Sequence, residues 1–369
     1  MKILIAGDFY PRRRIEQLLK KEDYSFFDDI VPIVKESDYS IVNFEGCIAS
    51  NNDTPIEKTG PNLKCEKEAM AAIKYAGFNC VTLANNHFRD FGDQGVSQTI
   101  KECKQNAVDY VGGGENLDKA KSILYKEING KSIAIINRCE SEWSIATDSQ
   151  GGSAPLDIID DYYQIRAAKD KADYVLVITH GGIEEYPYPT PRMKQQYRFY
   201  IDAGADAVVN HHQHCISGYE FYHDRPIFYG LGNFCFDWVT ASVKWWEEGF
   251  MLMLDFNENK IEFVMHPYMQ FSAEPKVQII KDKSSFEEEI KQINRIIADD
   301  ALLVKKFSEW VMKRNGLSLF EPYNSRLSRG LYARHLLPSF VSESKKRQIL
   351  NLIRCESHRE SLIKALSKK

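Results

Sequence analysis

Over residues 1–270, short apolar runs of strand length alternate with longer stretches of helical spacing, and this alternation restricts the chain more than any other feature. The apolar runs are Lys2 to Gly7, Tyr39 to Phe44, Asn79 to Ala84, Lys131 to Asn137, Asp173 to Thr179, Asp206 to Asn210, Pro226 to Leu231, Phe250 to Phe256 and Ile261 to His266. Between them, Glu66 to Ala76, Gly95 to Asn106, Asp160 to Lys171 and Pro191 to Ala203 carry helix periodicity, with glycines just past several of their ends. Such an order predicts an α/β sheet rather than an all-β sandwich. A hairpin about Asn257 to Asn259 would add antiparallel pairing. From about Ser284 the pattern is helical to the end, with a break at Pro338, so residues 1–282 are expected to form one domain and residues 283–369 a helical, basic extension.

The ends of the runs are chemically unusual. Ile3 to Ala6 stops at Gly7-Asp8, Ile41 to Phe44 at Glu45-Gly46, and Val81 to Ala84 at Asn85-Asn86-His87. Tyr174 to Thr179 stops at His180-Gly181-Gly182, and Ala207 to Val209 at Asn210-His211-His212-Gln213-His214. Ligands of open α/β sheets bind beyond the carboxyl ends of the strands. Each residue alone reads as a turn or a cap, but loops need no such recurring choice of metal-binding side chains. Two carboxylates, several imidazoles and one amide suit Mn²⁺, Fe²⁺ or Zn²⁺ better than Ca²⁺ or Mg²⁺, which prefer oxygen alone. Six candidate ligands exceed the needs of one open catalytic ion and match two. A pair of ions about 3.5–4 Å apart lowers the pKa of a bound water and clamps attacking and leaving oxygens, which points to a hydrolase.

Composition narrows the setting. Eight cysteines occur singly, with no Cys-x-x-Cys, as in a reducing cytosol. The apolar run at the start is too short for a signal peptide, and no stretch approaches the roughly 18 apolar residues of a membrane span, so a cytoplasmic protein without a transmembrane segment is expected. Residues 301–369 hold fifteen Lys or Arg against five Asp or Glu; with −4 overall, that tail is +10 and the rest −14. The tail is thus a candidate for contact with an anionic partner or membrane surface, against the plainer reading of solvated helix faces. Nothing resembles a nucleic-acid-binding motif. Gly112-Gly113-Gly114 lacks the lysine of a phosphate loop and reads as a turn. The proline-rich Glu184 to Pro191 reads equally as a pocket wall or a rigid connector, and Trp143, Trp238, Trp245 and Trp246 as core or interface residues.

In order and wording, the motifs resemble the CapA proteins of poly-γ-glutamate capsule synthesis. The residues concerned are Gly7-Asp8, Asn43-Phe44-Glu45-Gly46, Leu83-Ala84-Asn85-Asn86-His87 with Asp90 and Gly92, and Thr179-His180-Gly181 with Glu185-Tyr186. They continue with Gly204-Ala205-Asp206, His211-His212-Gln213-His214 and Leu231-Gly232-Asn233-Phe234 with Asp237, so the likeness spans Met1 to about Asp237. It implies the four-layer αββα sandwich of the calcineurin-like metallophosphoesterases, with two divalent metal ions at the strand ends. Carried over by position, Asp8, Glu45 and His214 would hold the first ion, and Glu45, as a bridge, would join Asn86, His180 and His212 on the second. His87 matches the catalytic histidine; Asp90 would orient it or serve a local turn. His211, Glu185 and Asn233 would meet substrate.

Departures accompany the likeness. Tyr10 stands where the wider superfamily has the histidine of Asp-x-His, Asn210 and Gln213 replace the usual Gly and Pro, and Gly181 replaces Trp. Glu45 takes the place of an aspartate, as is typical of CapA proteins. The resemblance implies a metal-dependent hydrolase of a phosphoester, or of an amide in a glutamyl-like polymer or small conjugate. The alternative is a non-catalytic metal-binding subunit of a polymer synthesis or export complex.

Overall fold

The structure is a computed structural model that describes residues 1–369 except 59, 238–243, 259, 272, 315–324 and 355–369. Trp238 and the end of the predicted helical extension therefore lie outside the described residues. Residues Met1–Leu303 form one compact unit.

Two sheets make the centre of that unit. The first runs in the order Val277–Ile279, Ile261–Gln270, Glu248–Phe256, Lys2–Tyr10, Tyr39–Phe44, Cys80–Thr82, Asp109–Val111, with Asn233–Phe236 also paired to Lys2–Tyr10. The strands from Lys2 to Val111 are parallel, and the Glu248–Phe256 and Ile261–Gln270 hairpin is antiparallel, as the sequence predicts. In the second sheet the order is Tyr219–Tyr222, Arg225–Phe228, Ala207–His211, Tyr174–His180, Lys131–Cys139, Leu124–Ile128, with parallel central strands and a hairpin at each edge.

Period-two alternation then builds the layers. Ile3, Ile5 and Ile41 of the first sheet meet Ile135, Leu176, Ile178 and Val209 of the second in one buried core. Their neighbours Leu4, Ala6, Val42 and Val81 turn outward onto Ile15, Leu19, Met70, Ile73 and Ile100 of helices Arg14–Leu19, Glu68–Ala76 and Gly92–Gln105. On the other side Ala134, Ile136, Val175, Val177 and Val208 face Ile165, Tyr197 and Tyr200 of helices Ile158–Lys169 and Pro191–Ala203. The result is a four-layer αββα sandwich. Each buried Ile or Leu contributes about 1.5–3 kcal/mol, so the three cores dominate the stability of the scaffold.

Local chemistry sets the helix ends. Asp157 accepts from the backbone N–H groups of Ile159 and Asp160, and Thr190 from that of Met193, with Pro191 at the first helical position. Gly204, at φ 119°, closes the Pro191–Ala203 helix in a left-handed conformation.

Five strands of the two sheets have no counterpart in the sequence reading: Leu124–Ile128, Tyr219–Tyr222, Asp109–Val111, Asn233–Phe236 and Val277–Ile279. The first two are edge strands with half-buried, mixed side chains, so no apolar run marks them. The compact unit also reaches past the expected boundary at 282. Helix Ser284–Ala298 sends Phe286 and Ile290 into the inter-sheet core and Ile293 and Ile297 into the outer core of the second sheet. Residues 304–369 form a second unit, in which helix Arg326–Ala333, capped by Ser325, and helix Glu343–Arg354 flank Pro338. Among the described residues, no helix is long and apolar enough to cross a membrane, and the cysteines are free and buried.

Candidate metal centre

Parallel strands of both sheets end on the same side, and the layer between the sheets opens there into a polar cluster. Ile41 and Ile178 face the inter-sheet core, so two residues later Asn43 and His180 face it as well. Asp8 needs a correction to join them, because strict alternation from Leu4 and Ala6 would turn it outward. The pairing of Lys2–Tyr10 with Tyr39–Phe44 is irregular between Ala6 and Asp8, which supplies the correction. Gly7 permits it, since a Cβ there would lie 1.9 Å from the Gly232 carbonyl oxygen. At the other side of the cluster, His212 and His214 take φ values of 93° and 54°, a strained conformation for non-glycine residues that costs on the order of 1–3 kcal/mol each. The turn folds the two imidazoles back over the strand ends.

The side chains meet as two groups. In one, ligand atoms of Asp8, Glu45 and His214 lie within 4.8 Å of one another. His214 Nε2 is 3.6 Å from Glu45 Oε1, and its Nδ1 is 3.6 Å from Asp8 Oδ2. In the other, His180 Nε2 lies 3.1 Å from both Asn86 Oδ1 and His212 Nδ1. Two donors at about 2.1 Å from one ion and at right angles to each other stand about 3 Å apart, so this spacing fits a shared cation. Asn43 joins the groups: its Nδ2 donates to Asp8 Oδ1 at 2.8 Å and lies 3.4 Å from His180 Nδ1, while Thr82 Oγ1 donates to Asn43 Oδ1.

Charge is the strongest indication of a missing partner. Glu45 is 0% exposed, and neither carboxylate oxygen has a hydrogen-bond partner among the described residues. Burial, and then the charge of Asp8, push its carboxyl well above the ordinary range. An isolated buried carboxylate is costly enough that it pairs, binds a cation or gives up its charge. Burial pushes Asp8 up too, but the hydrogen bond and charge of His211, followed by His180 and His214, outweigh it and hold the group below the usual carboxylate range. Burial first, and then a neighbouring imidazole, depress His180 and bring His212 to about 4. Both rings are therefore neutral at pH 7, with lone pairs available to a metal. Carboxylate, imidazole and amide together fit a divalent transition metal.

Surrounding residues fix these groups. His214 Nδ1 donates to Asn233 Oδ1 at 2.9 Å, which sets the tautomer and leaves Nε2 for the Glu45 side. Asn233, expected to meet substrate, is fully buried against His214. His211, expected in the same role, is 2% exposed with Nδ1 3.4 Å from Asp8 Oδ1. Glu185 keeps an exposed side chain, and its backbone N–H donates to the Gln213 carbonyl. His87 Nδ1 lies 2.7 Å from Asp90 Oδ2, and burial lowers its pKa against the pull of Asp90.

The departures from the motif pattern also have local reasons. Tyr10 is buried edge-on against Phe236 in the outer core of the first sheet. Asn210 donates to the Gly181 and Tyr229 carbonyls and accepts from Thr179 and Tyr197, which ties three strand ends together. Gln213 Nε2 donates to the Tyr186 and Tyr188 carbonyls, anchoring the proline-rich segment as proline could not. A Cβ on Gly181 would lie 2.7 Å from Glu140 Cγ, so that glutamate fills the space a larger residue would need.

Two further groups escaped the sequence reading. Glu142 Oε1 is 3.9 Å from His212 Nε2, and Lys58 meets both His87 and Asp90. Each sits in a polar connection without periodicity, so no sequence signal marks it. Asn43, by contrast, was legible in principle, because it precedes Glu45 by two residues in the same motif.

A family model described as "Bacterial capsule synthesis protein PGA_cap" matches residues 2–238. The "Capsule biosynthesis protein CapA" of Bacillus anthracis is 35% identical over 253 residues, covering 66% of this chain and 62% of its own length. The "PGA biosynthesis protein CapA" of Bacillus subtilis (strain 168) is 34% identical over 236 residues, covering 63% and 62% respectively. The chain thus spans less than two thirds of the length of these curated relatives. Among solved structures, a hypothetical protein from Thermus thermophilus aligns at a TM-score of 0.47 and 16% identity, over 73% of this chain and 99% of that one.

Proposed function

The chain belongs to the bacterial capsule synthesis protein family, and from that premise we propose that it is a metal-dependent hydrolase acting in capsule or surface-polymer biosynthesis. Its substrate class is a phosphoester, or an amide of a glutamyl-like polymer or conjugate. Two divalent ions (Mn, Fe or Zn) would be held by Asp8, Glu45 and His214 on one side and by Asn86, His180 and His212 with Glu45 on the other. The observation that carries this reading is the buried Glu45 carboxylate, with both oxygens unpartnered beside Asp8 and His214.

When bound, such ions supply a water acidic enough to attack near neutral pH and a positive charge for the leaving oxygen. The protein's own contribution is placement. Asn43 fixes the Asp8 carboxylate, Asn233 fixes the ring of His214, and the strained turn at His212 to His214 points both rings at the strand ends. His87, oriented by Asp90, is the group that donates a proton to the departing oxygen or nitrogen.

The reading as a non-catalytic subunit has one observation in its favour: Tyr10 is committed to the core, so one side of the centre has a ligand fewer than the wider superfamily provides. Turnover separates the two. The Mn²⁺-loaded chain is expected to cleave bis(p-nitrophenyl) phosphate or a γ-glutamyl anilide, and His87→Ala to lose about 10²–10⁴-fold while keeping its metal. Bound metal without turnover of either probe would favour the subunit; full activity in His87→Ala would remove the role given to that residue.

A further inference from the structure

A lysine reaches the interior of the centre from a segment that otherwise faces water. Asn51, Asn52, Thr54, Pro55 and Glu57 are exposed, yet the Lys58 side chain is only 2% exposed. Its ammonium pairs with Oδ1 of Asp90, whose side chain is fully buried, and lies 3.0 Å from His87 Nδ1. The other oxygen, Asp90 Oδ2, accepts from the Leu63 backbone N–H at 2.7 Å and faces His87 Nδ1 at 2.7 Å. Asp90 also accepts from the Ile56 N–H through its backbone carbonyl, at 2.9 Å. One aspartate thus holds Ile56, Lys58 and Leu63 beside the imidazole.

Lysine is almost never buried unless paired, and a buried pair stabilises a fold little because desolvation offsets the attraction. Stability is therefore a poor reason for this lysine, and its neighbours suggest a better one. We propose that Lys58 is a positioning residue for His87, occupying Oδ1 of Asp90 so that Oδ2 stays turned to the imidazole. This rests on the role of His87 in the hydrolase reading. Without the ammonium, Asp90 would be a buried carboxylate served only by neutral donors, free to rotate or to draw in water. The imidazole would then lose its fixed angle to the substrate.

Turnover and spectroscopy test the inference separately. In the Mn²⁺-loaded chain acting on bis(p-nitrophenyl) phosphate, Lys58→Met is expected to lower kcat about 10–100-fold, as outer partners of a site do, with KM and metal content unchanged. Because Lys58 acts through Asp90, the double variant with Asp90→Asn should be no slower than Asp90→Asn alone. In the metal-free chain, the proton on His87 Nδ1, identified by its absence in His87→Ala, should give a downfield NMR signal that Lys58→Met shifts or abolishes. Lys58→Gln, one atom shorter but still a polar donor, serves if the methionine variant does not fold. An unchanged signal, or additive losses in the double variant, would overturn the inference. If the wild-type chain turns over no probe, the hydrolase reading fails, and the NMR signal still decides whether Lys58 sets His87.

Discussion

The two halves of the centre are built from different chemistry. Asn86, His180 and His212 are neutral groups, and His180 Nε2 lies 3.1 Å from a polar atom of each of the other two, so that half is drawn together by its own members. Asp8, Glu45 and His214 stand further apart, at 3.6 Å, around a carboxylate without a hydrogen-bond partner among the described residues. One half is organised before a cation arrives; the other stores an electrostatic cost that a proton or a cation must relieve. Metal binding should therefore act on the folding equilibrium mainly through the carboxylate half.

The largest expected effect comes from Glu45, the residue proposed to serve both halves. Glu45→Ala should reduce bound metal, measured by elemental analysis, to near zero, because both ions lose a ligand. Retention of one full equivalent would mean that the halves bind independently.

A smaller effect of opposite sign separates charge from shape. In metal-free protein, Glu45→Gln should be more stable than wild type by about 1–3 kcal/mol at neutral pH, since it removes a buried acid without a partner. The pH dependence follows from the raised carboxyl. Above 4.5 the unfolded chain loses the proton that the folded chain keeps, so wild-type stability relative to Glu45→Gln falls as pH rises past that value. Added Mn²⁺ should reverse the order of the two melting temperatures. If Glu45→Gln were the less stable protein even without metal, the stored cost would not exist.

The smallest effects lie in the surrounding residues. Asn233→Leu should weaken Mn²⁺ binding about 10–100-fold in the carboxylate half by freeing the ring of His214. Glu142→Gln should cost the other half less, under about tenfold, because that carboxylate is 41% exposed and 3.9 Å from His212. Calorimetric titration of each variant measures both.

The sequence made the layers and the strand ends legible for one reason: buried parallel strands are short apolar runs, and five of them here stop abruptly in Asp, Glu, Asn or His. Elements that lack such a run were not legible. Asn233–Phe236 pairs alongside Lys2–Tyr10 after Gly232 turns the chain at φ 77°, and that placement sets Asn233 against His214. His211 reads as one more histidine of the cluster, and only the adjoining strands show that it faces Asp8. Lys58 lies in a polar loop whose path depends on Asp90, 32 residues later. Helix Ser284–Ala298 is amphipathic, but amphipathicity says that a face is buried, not which core receives it.

Calorimetric titration of metal-free wild-type chain with Mn²⁺ tests the central claim most directly. Two ions per chain are predicted, with the weaker step absent in Asn233→Leu at the same concentrations. Heats no larger than dilution, under conditions where the chain is folded, would contradict a centre assembled from Asp8, Glu45, Asn86, His180, His212 and His214.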